Sequence, residues 1–344
     1  MNGDRRSSAE RDLACPRWRT RTIDAMGIPT QLSWNWLAMS NVPPKTARAQ
    51  TVVTDSAFKA VVAAHLPGAN FIRAFRLSGG VSADVYRLEL EAGDGAHRSV
   101  VLRVHGPNYN GHPAALEFGI LSAVSGLGIC APQALALDES LRHIPHPFLI
   151  LDHIDGETAF PTGAAVNQMT RMAETLAEIH SLPIAGLPTL PMRGDPLPEI
   201  FDYLPQDAEF DALRQGLSRM ENTAYEGSGA LLHGDFWPGN LLWKGPHIVG
   251  ILDWEDAACG DPLSDVACTA LELTYVAGTE GAEQFVRAYG RLRPIEPRRF
   301  ALWQIYVAAA GHLSMGGWGL EASREAHMRA IALSVIRHAS ALVI

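Results

Sequence analysis

Apolar and polar residues alternate along several short stretches in the first half of the chain. A period of two is typical of half-buried β-strands, and glycine-rich turn signals separate the stretches. The pattern predicts an antiparallel meander of three strands followed later by a fourth, at Phe71–Leu77, Ala83–Glu91, Ser99–His105 and Pro147–Leu151. Helical spacing predicts two helices in the same half, at Ser56–Leu66 and Ala114–Val124.

The second half of the chain shows the spacing of amphipathic helices. The apolar residues of Val166–Ser181 fall on one helical face, and Asp261-Pro262 is a typical helix start, with aspartate as N-cap and proline at the first position. A β-rich half followed by a helical half predicts an α+β fold of two lobes. We place the lobes at residues 46–152 and 153–344. Residues 1–45 are rich in arginine and serine without sustained periodicity, so we expect them to form a flexible extension.

Carboxylate and carboxamide side chains lie at both edges of a predicted β-hairpin. Its strands are Leu241–Trp243 and Ile248–Leu252, and a turn around Gly245 folds the chain back. The fold-back brings Asn240 and Asp253 to the same open end, where their oxygens suit Mg²⁺. Asp235 lies just upstream and would accept a proton, which favours phosphoryl transfer to a hydroxyl. Taken singly, each of these residues fits an ordinary turn or strand end.

Composition narrows the class of protein. The net charge of −9 over 344 residues disfavours a nucleic-acid partner, which usually requires a basic face. No apolar run approaches the roughly 20 residues that span a bilayer, so we expect no membrane segment. The four cysteines lack paired spacing, which argues against a disulfide framework or a zinc site and favours a reducing cytoplasm.

The motif His233-Gly-Asp235-x-x-x-x-Asn240, followed by Asp253-Trp254-Glu255, resembles the aminoglycoside phosphotransferase/choline kinase family. The resemblance runs from about Phe71 to Ala270 and includes a downstream Gly-Asp-Pro-x-x-Asp signature that ends at Asp265. It implies a protein-kinase-like fold and a cytoplasmic kinase of small molecules. The nucleotide donor would be ATP or GTP, with Mg²⁺ as cofactor.

The resemblance also implies roles for single residues. Asp235 would be the catalytic aspartate, and Asn240 and Asp253 would bind Mg²⁺. His233 would support the catalytic loop by hydrogen bonding. Asp265 would either brace the same loop or simply belong to its own helix.

Nucleotide-binding residues are expected in the first half of the chain. Backbone N–H groups of the Gly-Gly loop could cap phosphate oxygens, although such a loop is also a common hairpin turn. Arg103 stands where protein kinases carry a lysine and could hold phosphates as a fork, with Glu117 as its partner or as a solvated helix charge. The backbone of the interlobe linker would contact the purine. The loop and linker residues are Ser78, Gly79, Gly80, Ser82, Asp152, His153 and Ile154.

Acceptor residues are the least defined part of the sequence. Glu272, Trp318 and Glu321 could line a pocket for an amine-bearing, possibly cationic substrate, since aromatics and carboxylates attract cations. They are equally compatible with ordinary helix surface and core. An aminoglycoside is the first acceptor class, with choline-like alcohols, homoserine, sugars and macrolides as alternatives. A catalytically silent nucleotide-binding regulator is a further alternative, and the sequence leaves the oligomeric state open.

Overall fold

The computed structural model describes residues 52–77, 83–106, 109, 111–158 and 166–344 of the chain. Residues 1–45, for which a flexible extension is predicted, lie outside these ranges. Within them, no helix has both the length and the apolar character needed to cross a membrane.

Five antiparallel strands form the main sheet, in the order β1-β2-β3-β5-β4. The predicted meander and fourth strand are present, but β4 was not predicted. The segment Ala-Leu-Ala-Leu-Asp of β4 shows no alternation that separates strand from helix. The strands are β1 (Ala69–Arg76), β2 (Asp84–Ala92), β3 (His97–Val104), β4 (Ala134–Asp138) and β5 (Phe148–Asp152), accompanied by helices α1 (Asp55–His65) and α2 (Ala114–Gly126).

Helices cover both faces of this sheet. Phe148 and Ile150 of β5 belong to the apolar cluster that contains α1, whereas Leu149 and Leu151 belong to the cluster that contains α2. Successive side chains of a strand point to opposite faces, so a strand covered on both sides is apolar throughout. This explains the uninterrupted Phe-Leu-Ile-Leu run of β5.

Six α-helices follow in the described part of the second half. The first twelve residues of α6 are buried, and a non-helical residue, Gly278, interrupts the helix further along with a φ of 76°. The helices are α3 (Val166–Ile179), α4 (Leu197–Tyr203), α5 (Asp211–Leu217), α6 (Pro262–Gly290), α7 (Pro297–Ser314) and α8 (Ala322–Val343). The predicted helix starts at Val166 and at Asp261-Pro262 are both present. The α+β class is therefore confirmed, while the division into lobes at residue 152 stays a prediction.

Two small sheets position the loops between these helices. One has the order β6-β10-β7, with β10 parallel to β6 and antiparallel to β7. The other is the predicted hairpin, whose turn is narrowed to Gly245-Pro246 because both strands are one residue longer at the turn. Strands of two or three residues carry no periodicity, so the first sheet could not be predicted. The strands are β6 (Met192–Arg193), β7 (Ala230–Leu232), β8 (Leu241–Lys244), β9 (His247–Ile251) and β10 (Ala258–Gly260).

Candidate active site

The loop after β7 holds Asp235 and Asn240 against each other. Both side chains are buried. The amide Nδ2 of Asn240 donates to the backbone oxygen and to Oδ2 of Asp235, each at 2.9 Å. These two bonds fix the carboxylate of Asp235 and orient the amide of Asn240. The Oδ1 of Asn240 makes no hydrogen bond within the described ranges.

The β8–β9 hairpin brings Asn240 next to the segment that carries Asp253. Leu241 pairs with Ile251, and the N–H of Leu252 donates to the carbonyl of Asn240 at 2.8 Å. Asp253 follows with a φ of 62°, a conformation that few non-glycine residues adopt. Such strained residues cluster at functional sites. The β8–β9 hairpin therefore folds back as predicted from the sequence and brings Asn240 and the Asp253 segment to the same end.

Asp265, one turn into α6, binds the backbone of the loop after β7. Its carboxylate accepts the N–H of His233 at 2.7 Å and the N–H of Gly234 at 3.0 Å. His180 contacts the same carboxylate at 3.2 Å. Burial alone would raise the pKa of Asp265, but the His180 hydrogen bond and nearby positive charge hold that pKa below its usual value. Of the two roles considered for Asp265, the contacts correspond to bracing the loop.

The imidazole of His233 links the backbone of Asp235 to that of Leu252, the residue before Asp253. Its Nδ1 accepts the N–H of Asp235 at 3.3 Å, so the proton must lie on Nε2, which donates to the carbonyl of Leu252 at 3.0 Å. Burial lowers the pKa of His233 and keeps the ring neutral. A further bond comes from Thr269 of α6, whose hydroxyl donates to the carbonyl of Phe236 at 2.6 Å.

Arg103 of β3 reaches across to the segment after the hairpin. Its Nε lies 3.0 Å from Oε1 of Glu117 on α2, and its Nη2 lies 3.0 Å from Oδ1 of Asp253. The same Nη2 also donates to Glu255. Burial disfavours the charge of Arg103, but the three carboxylates raise its pKa well above the ordinary value. Arg103 thus connects β3 directly to the segment that carries Asp253, the predicted Mg²⁺ ligand.

The carboxylate of Glu117 is the centre of a second group of contacts. His105 Nε2 lies 2.8 Å from its Oε2, and the hydroxyl of Tyr109 donates to the same oxygen at 3.2 Å. The rings of His105 and Tyr109 stack with centroids 3.7 Å apart. Burial opposes ionisation, but Arg103 and His105 lower the pKa of Glu117. Glu117 is therefore a buried anion rather than a solvated helix charge.

Only part of the predicted nucleotide site can be compared with the structure. The loop residues Ser78, Gly79, Gly80 and Ser82 lie outside the described residues. In the linker, Asp152 bonds to the backbone of Gln133 through both its N–H (2.9 Å) and its carboxylate (2.5 Å). Within the described chain, the peptide groups of His153 and Ile154 make no backbone hydrogen bond, so both remain available.

The three acceptor candidates lie in three different environments. Glu272 is 1% exposed, and its Oε1 has no hydrogen-bond partner within the described chain. Burial raises its pKa to about 8. Trp318 is buried in the main apolar cluster. Glu321 caps α8, with its carboxylate accepting the N–H of Ser323 at 3.1 Å.

Two buried polar residues of the site, Glu255 and Asp256, were not among the predicted site residues. Glu255 contacts Arg103, and burial together with Asp253 raises its pKa well above the usual value. Its place in the Asp253-Trp254-Glu255 motif was the available signal. No sequence pattern indicated that Asp256 would lie in the site. Its backbone lies against Gly234, whose φ of 87° and lack of a Cβ permit the contact, and burial raises its pKa to about 7.

Comparison with known proteins identifies related sequences. A family model described as the phosphotransferase enzyme family matches residues 74–303. Homoserine kinase from Janthinobacterium sp. (strain Marseille) is 25% identical over 199 residues, covering 53% of the chain and 62% of that protein. Acyl-CoA dehydrogenase family member 10 from Mus musculus is 26% identical over 185 residues, covering 46% of the chain and 17% of that protein. The chain thus spans less than two thirds of these curated relatives.

Solved structures resemble the chain over most of its length. A provisionally named aminoglycoside phosphotransferase from Ralstonia eutropha JMP134 has a TM-score of 0.63 at 15% identity, covering 85% of the chain and 98% of that structure. Macrolide 2′-phosphotransferase from Brachybacterium faecium has a TM-score of 0.55 at 18% identity, covering 80% and 98%. At such identities the likeness concerns the fold, and the two-lobed kinase-like fold predicted from the sequence is confirmed.

Proposed function

Because the chain belongs to the phosphotransferase enzyme family, we propose that it is a Mg²⁺-dependent kinase of small molecules. It transfers the γ-phosphoryl group of ATP or GTP to a hydroxyl of its acceptor. The observation that carries this proposal is the meeting of Asp235, Asn240 and the Asp253 segment at one end of the β8–β9 hairpin.

Asp235 is suited to receive the acceptor proton. Phosphoryl transfer passes through a loose transition state, so catalysis depends mainly on positioning and charge, and the proton leaves late. Asn240 and His233 fix the loop around Asp235 through its carboxylate, its carbonyl and its N–H. The acceptor hydroxyl can then be oriented by a carboxylate that does not have to reorganise.

Asn240 and Asp253 are suited to hold the cation. Mg²⁺ binds oxygen ligands and usually takes only one or two from the protein, the others coming from phosphates and water. Oδ1 of Asn240 and Oδ2 of Asp253 are oxygens that make no hydrogen bond in the described part of the chain. Bound there, Mg²⁺ would neutralise phosphate charge.

Arg103 is the group we assign to the nucleotide phosphates. It is buried and held by Glu117, Asp253 and Glu255 through Nε and Nη2, which leaves its Nη1 to donate to a phosphate oxygen. We assign the peptide groups of His153 and Ile154 to the purine edge. The Gly79-Gly80 loop stays a prediction for the phosphate cap.

The acceptor is proposed as a class rather than as one compound. Curated relatives include homoserine kinases, and a structural neighbour was solved with AMP-PNP and hygromycin B. Homoserine and hygromycin B are both small polar molecules that carry hydroxyl groups. A silent nucleotide-binding regulator is disfavoured because Asp235, Asn240 and Asp253, the residues that we assign to turnover, are all present.

Release of ADP or GDP in a coupled assay tests the proposal. Purified wild-type chain is screened with Mg²⁺ and each nucleotide against amino alcohols, hydroxy acids, sugars, aminoglycosides and macrolides. We expect Asp235→Asn to lower kcat by about 10²–10⁴-fold, the usual contribution of a general base. Nucleotide affinity should change less than about threefold, because Asp235 is assigned to the acceptor side.

Asp253→Asn and Asp211→Asn serve as comparisons. Asp253→Asn should abolish the Mg²⁺ dependence of nucleotide binding, measured by calorimetry with and without the metal. Asp211 lies on the surface of α5 and, among the residues that the structure describes, its carboxylate pairs with Arg214 alone. Asp211→Asn should therefore change neither kcat nor the Mg²⁺ dependence of nucleotide binding. Wild-type turnover in Asp235→Asn, or metal-independent nucleotide binding in the wild type, would contradict the proposal.

A further inference from the structure

A line of hydrogen bonds runs from the far end of α6 to the loop after β7. The hydroxyl of Tyr289 lies 2.7 Å from Nδ1 of His180, and Nε2 of the same ring lies 3.2 Å from Oδ2 of Asp265. That carboxylate accepts the N–H groups of His233 and Gly234. The three side chains of the line are buried, so water does not compete for their bonds.

The protons on this line can be placed by counting donors and acceptors. Asp265 keeps its charge, because its pKa is held below the usual value, so Nε2 of His180 is the donor between them. Burial raises the pKa of Tyr289, so its hydroxyl keeps its proton. Among the described residues that hydroxyl has His180 as its one hydrogen-bond partner, so the proton is bonded only if Nδ1 accepts it. Tyr289 therefore selects the tautomer of His180 that carries its proton on Nε2.

The chain has to fold back to form this line. Tyr289 follows Asp265 by 24 residues, which in a continuous helix would separate their Cα atoms by about 36 Å. Their side chains cannot span that distance, yet both contact one imidazole ring. The helix α6 is interrupted at Gly278, whose φ of 76° and ψ of 174° are not helical. The interruption lets residues 279–290 return towards His180.

A second contact joins the same two chain segments without entering the line. Nη1 of Arg293, just after α6, donates to Oγ of Ser181 at 2.9 Å. Ser181 is the neighbour of His180, but within the described chain neither Arg293 nor Ser181 bonds to Asp265 or to the loop after β7. Arg293 is therefore a matched control for a contact that only packs the end of α6 against the end of α3.

We propose that Tyr289 is a positioning residue of the kinase reaction. It fixes the proton of His180 on Nε2, so that Asp265 faces a donor from every side. The loop, and with it the carboxylate of Asp235, is then held in one position. The inference rests on the proposed kinase function and adds to it a residue that acts through His180 and Asp265.

The other tautomer of His180 would act against the loop. With its proton on Nδ1, the ring would turn the lone pair of Nε2 towards the carboxylate of Asp265. Two acceptors would then face each other in a buried site, which is unfavourable because neither can be solvated there. Tyr289→Phe removes the hydroxyl that disfavours this arrangement and keeps the aromatic ring.

Steady-state kinetics of the wild type, Tyr289→Phe and Arg293→Gln test the proposal, with release of ADP or GDP as the signal. Tyr289→Phe should lower kcat about 3–10-fold, as expected for the loss of one neutral hydrogen bond. The nucleotide KM should change less than about twofold, because Asp235 is assigned to the acceptor side. Arg293→Gln should leave both quantities at the wild-type values.

Hydrogen exchange reports on the loop directly and needs no acceptor. The amides of His233 and Gly234 lie in one peptide of the chain and are measured together by mass spectrometry. They should exchange about 3–10-fold faster in Tyr289→Phe than in the wild type, because the loop opens more often. Arg293→Gln should match the wild type. The amides of the β8–β9 hairpin serve as the internal reference and should exchange equally in all three proteins.

Two substitutions of His180 separate hydrogen bonding from packing. The amide nitrogen and oxygen of glutamine are about as far apart as the two ring nitrogens, so His180→Gln can bond to Asp265 and Tyr289 together and should retain most of kcat. His180→Leu removes both bonds and should lower kcat at least as much as Tyr289→Phe. Combining His180→Leu with Tyr289→Phe should lower kcat no further, because both residues act through one line.

Two results would overturn the proposal. One is a Tyr289→Phe protein whose kcat and loop exchange equal those of the wild type. The other is an Arg293→Gln protein that shows the same losses as Tyr289→Phe, which would make Tyr289 a packing residue between α3 and α6. Absence of turnover in the wild type would remove the kinase function, whereas unchanged loop exchange would remove the role of Tyr289, so the two failures are distinguishable.

Discussion

Replacement of Asp265 by asparagine tests how the catalytic loop is held. Its carboxylate accepts the two backbone N–H groups of His233 and Gly234 and contacts His180. Asparagine has one acceptor oxygen and one donor nitrogen. One backbone N–H of the loop would therefore lose its partner and face a donor inside a fully buried site.

The expected cost follows from these contacts. Breaking a buried network at one charged partner costs about 3–5 kcal/mol. Unfolding entropy of about 2.1 cal/mol/K per residue near 60 °C then gives a fall in Tm of about 4–7 °C for a 344-residue chain. kcat should fall as well, because Asp235 follows the displaced Gly234.

Thermal unfolding of the wild type, Asp265→Asn and the surface control Asp211→Asn measures the effect. Because the folded-state pKa of Asp265 is lowered, its contribution is present at neutral pH and is lost as pH falls through that pKa. The difference between wild type and Asp265→Asn should accordingly shrink in strongly acidic buffer. A Tm for Asp265→Asn within about 1 °C of the Asp211→Asn control at pH 7 would refute the bracing role.

Three further substitutions probe other parts of the site. Glu117→Gln removes the anion next to Arg103, and we expect nucleotide KM to rise about tenfold by steady-state kinetics with kcat changed less, as for loss of a charged hydrogen bond. Gly234→Ala places a Cβ on the carbonyl of Asp256 at a φ of 87°, which should lower stability in denaturant unfolding by at least about 1–3 kcal/mol and abolish turnover. Glu272 has a raised folded-state pKa of about 8, so the native state holds a proton that the unfolded state loses above about pH 4.3, and stability falls as pH rises through this window. Glu272→Gln should lack that fall and unfold at a higher temperature than the wild type at pH 8.5, and equal pH profiles would disprove the assignment.

The hairpin and helix starts could be predicted because they depend on local chemistry. Gly245-Pro246 fixes the turn, and Asp261-Pro262 fixes the start of α6, whatever the rest of the chain does. The three-stranded sheet could not be predicted, because its strands are too short for periodicity and join segments far apart in sequence. Arg193 lies in that sheet. Its position beside the catalytic loop depends on long-range pairing that no local pattern records.

The buried polar groups of the site fall into two kinds. Asn240 and Asp265 bond to the catalytic loop and hold it in one geometry. Arg193 and Glu272 each keep a buried atom without a partner in the described chain, and such an atom costs about 1–3 kcal/mol. Groups of the first kind stabilise the fold, so their loss should lower Tm. Groups of the second kind cost the folded protein stability, so Glu272→Gln should raise Tm at pH 8.5.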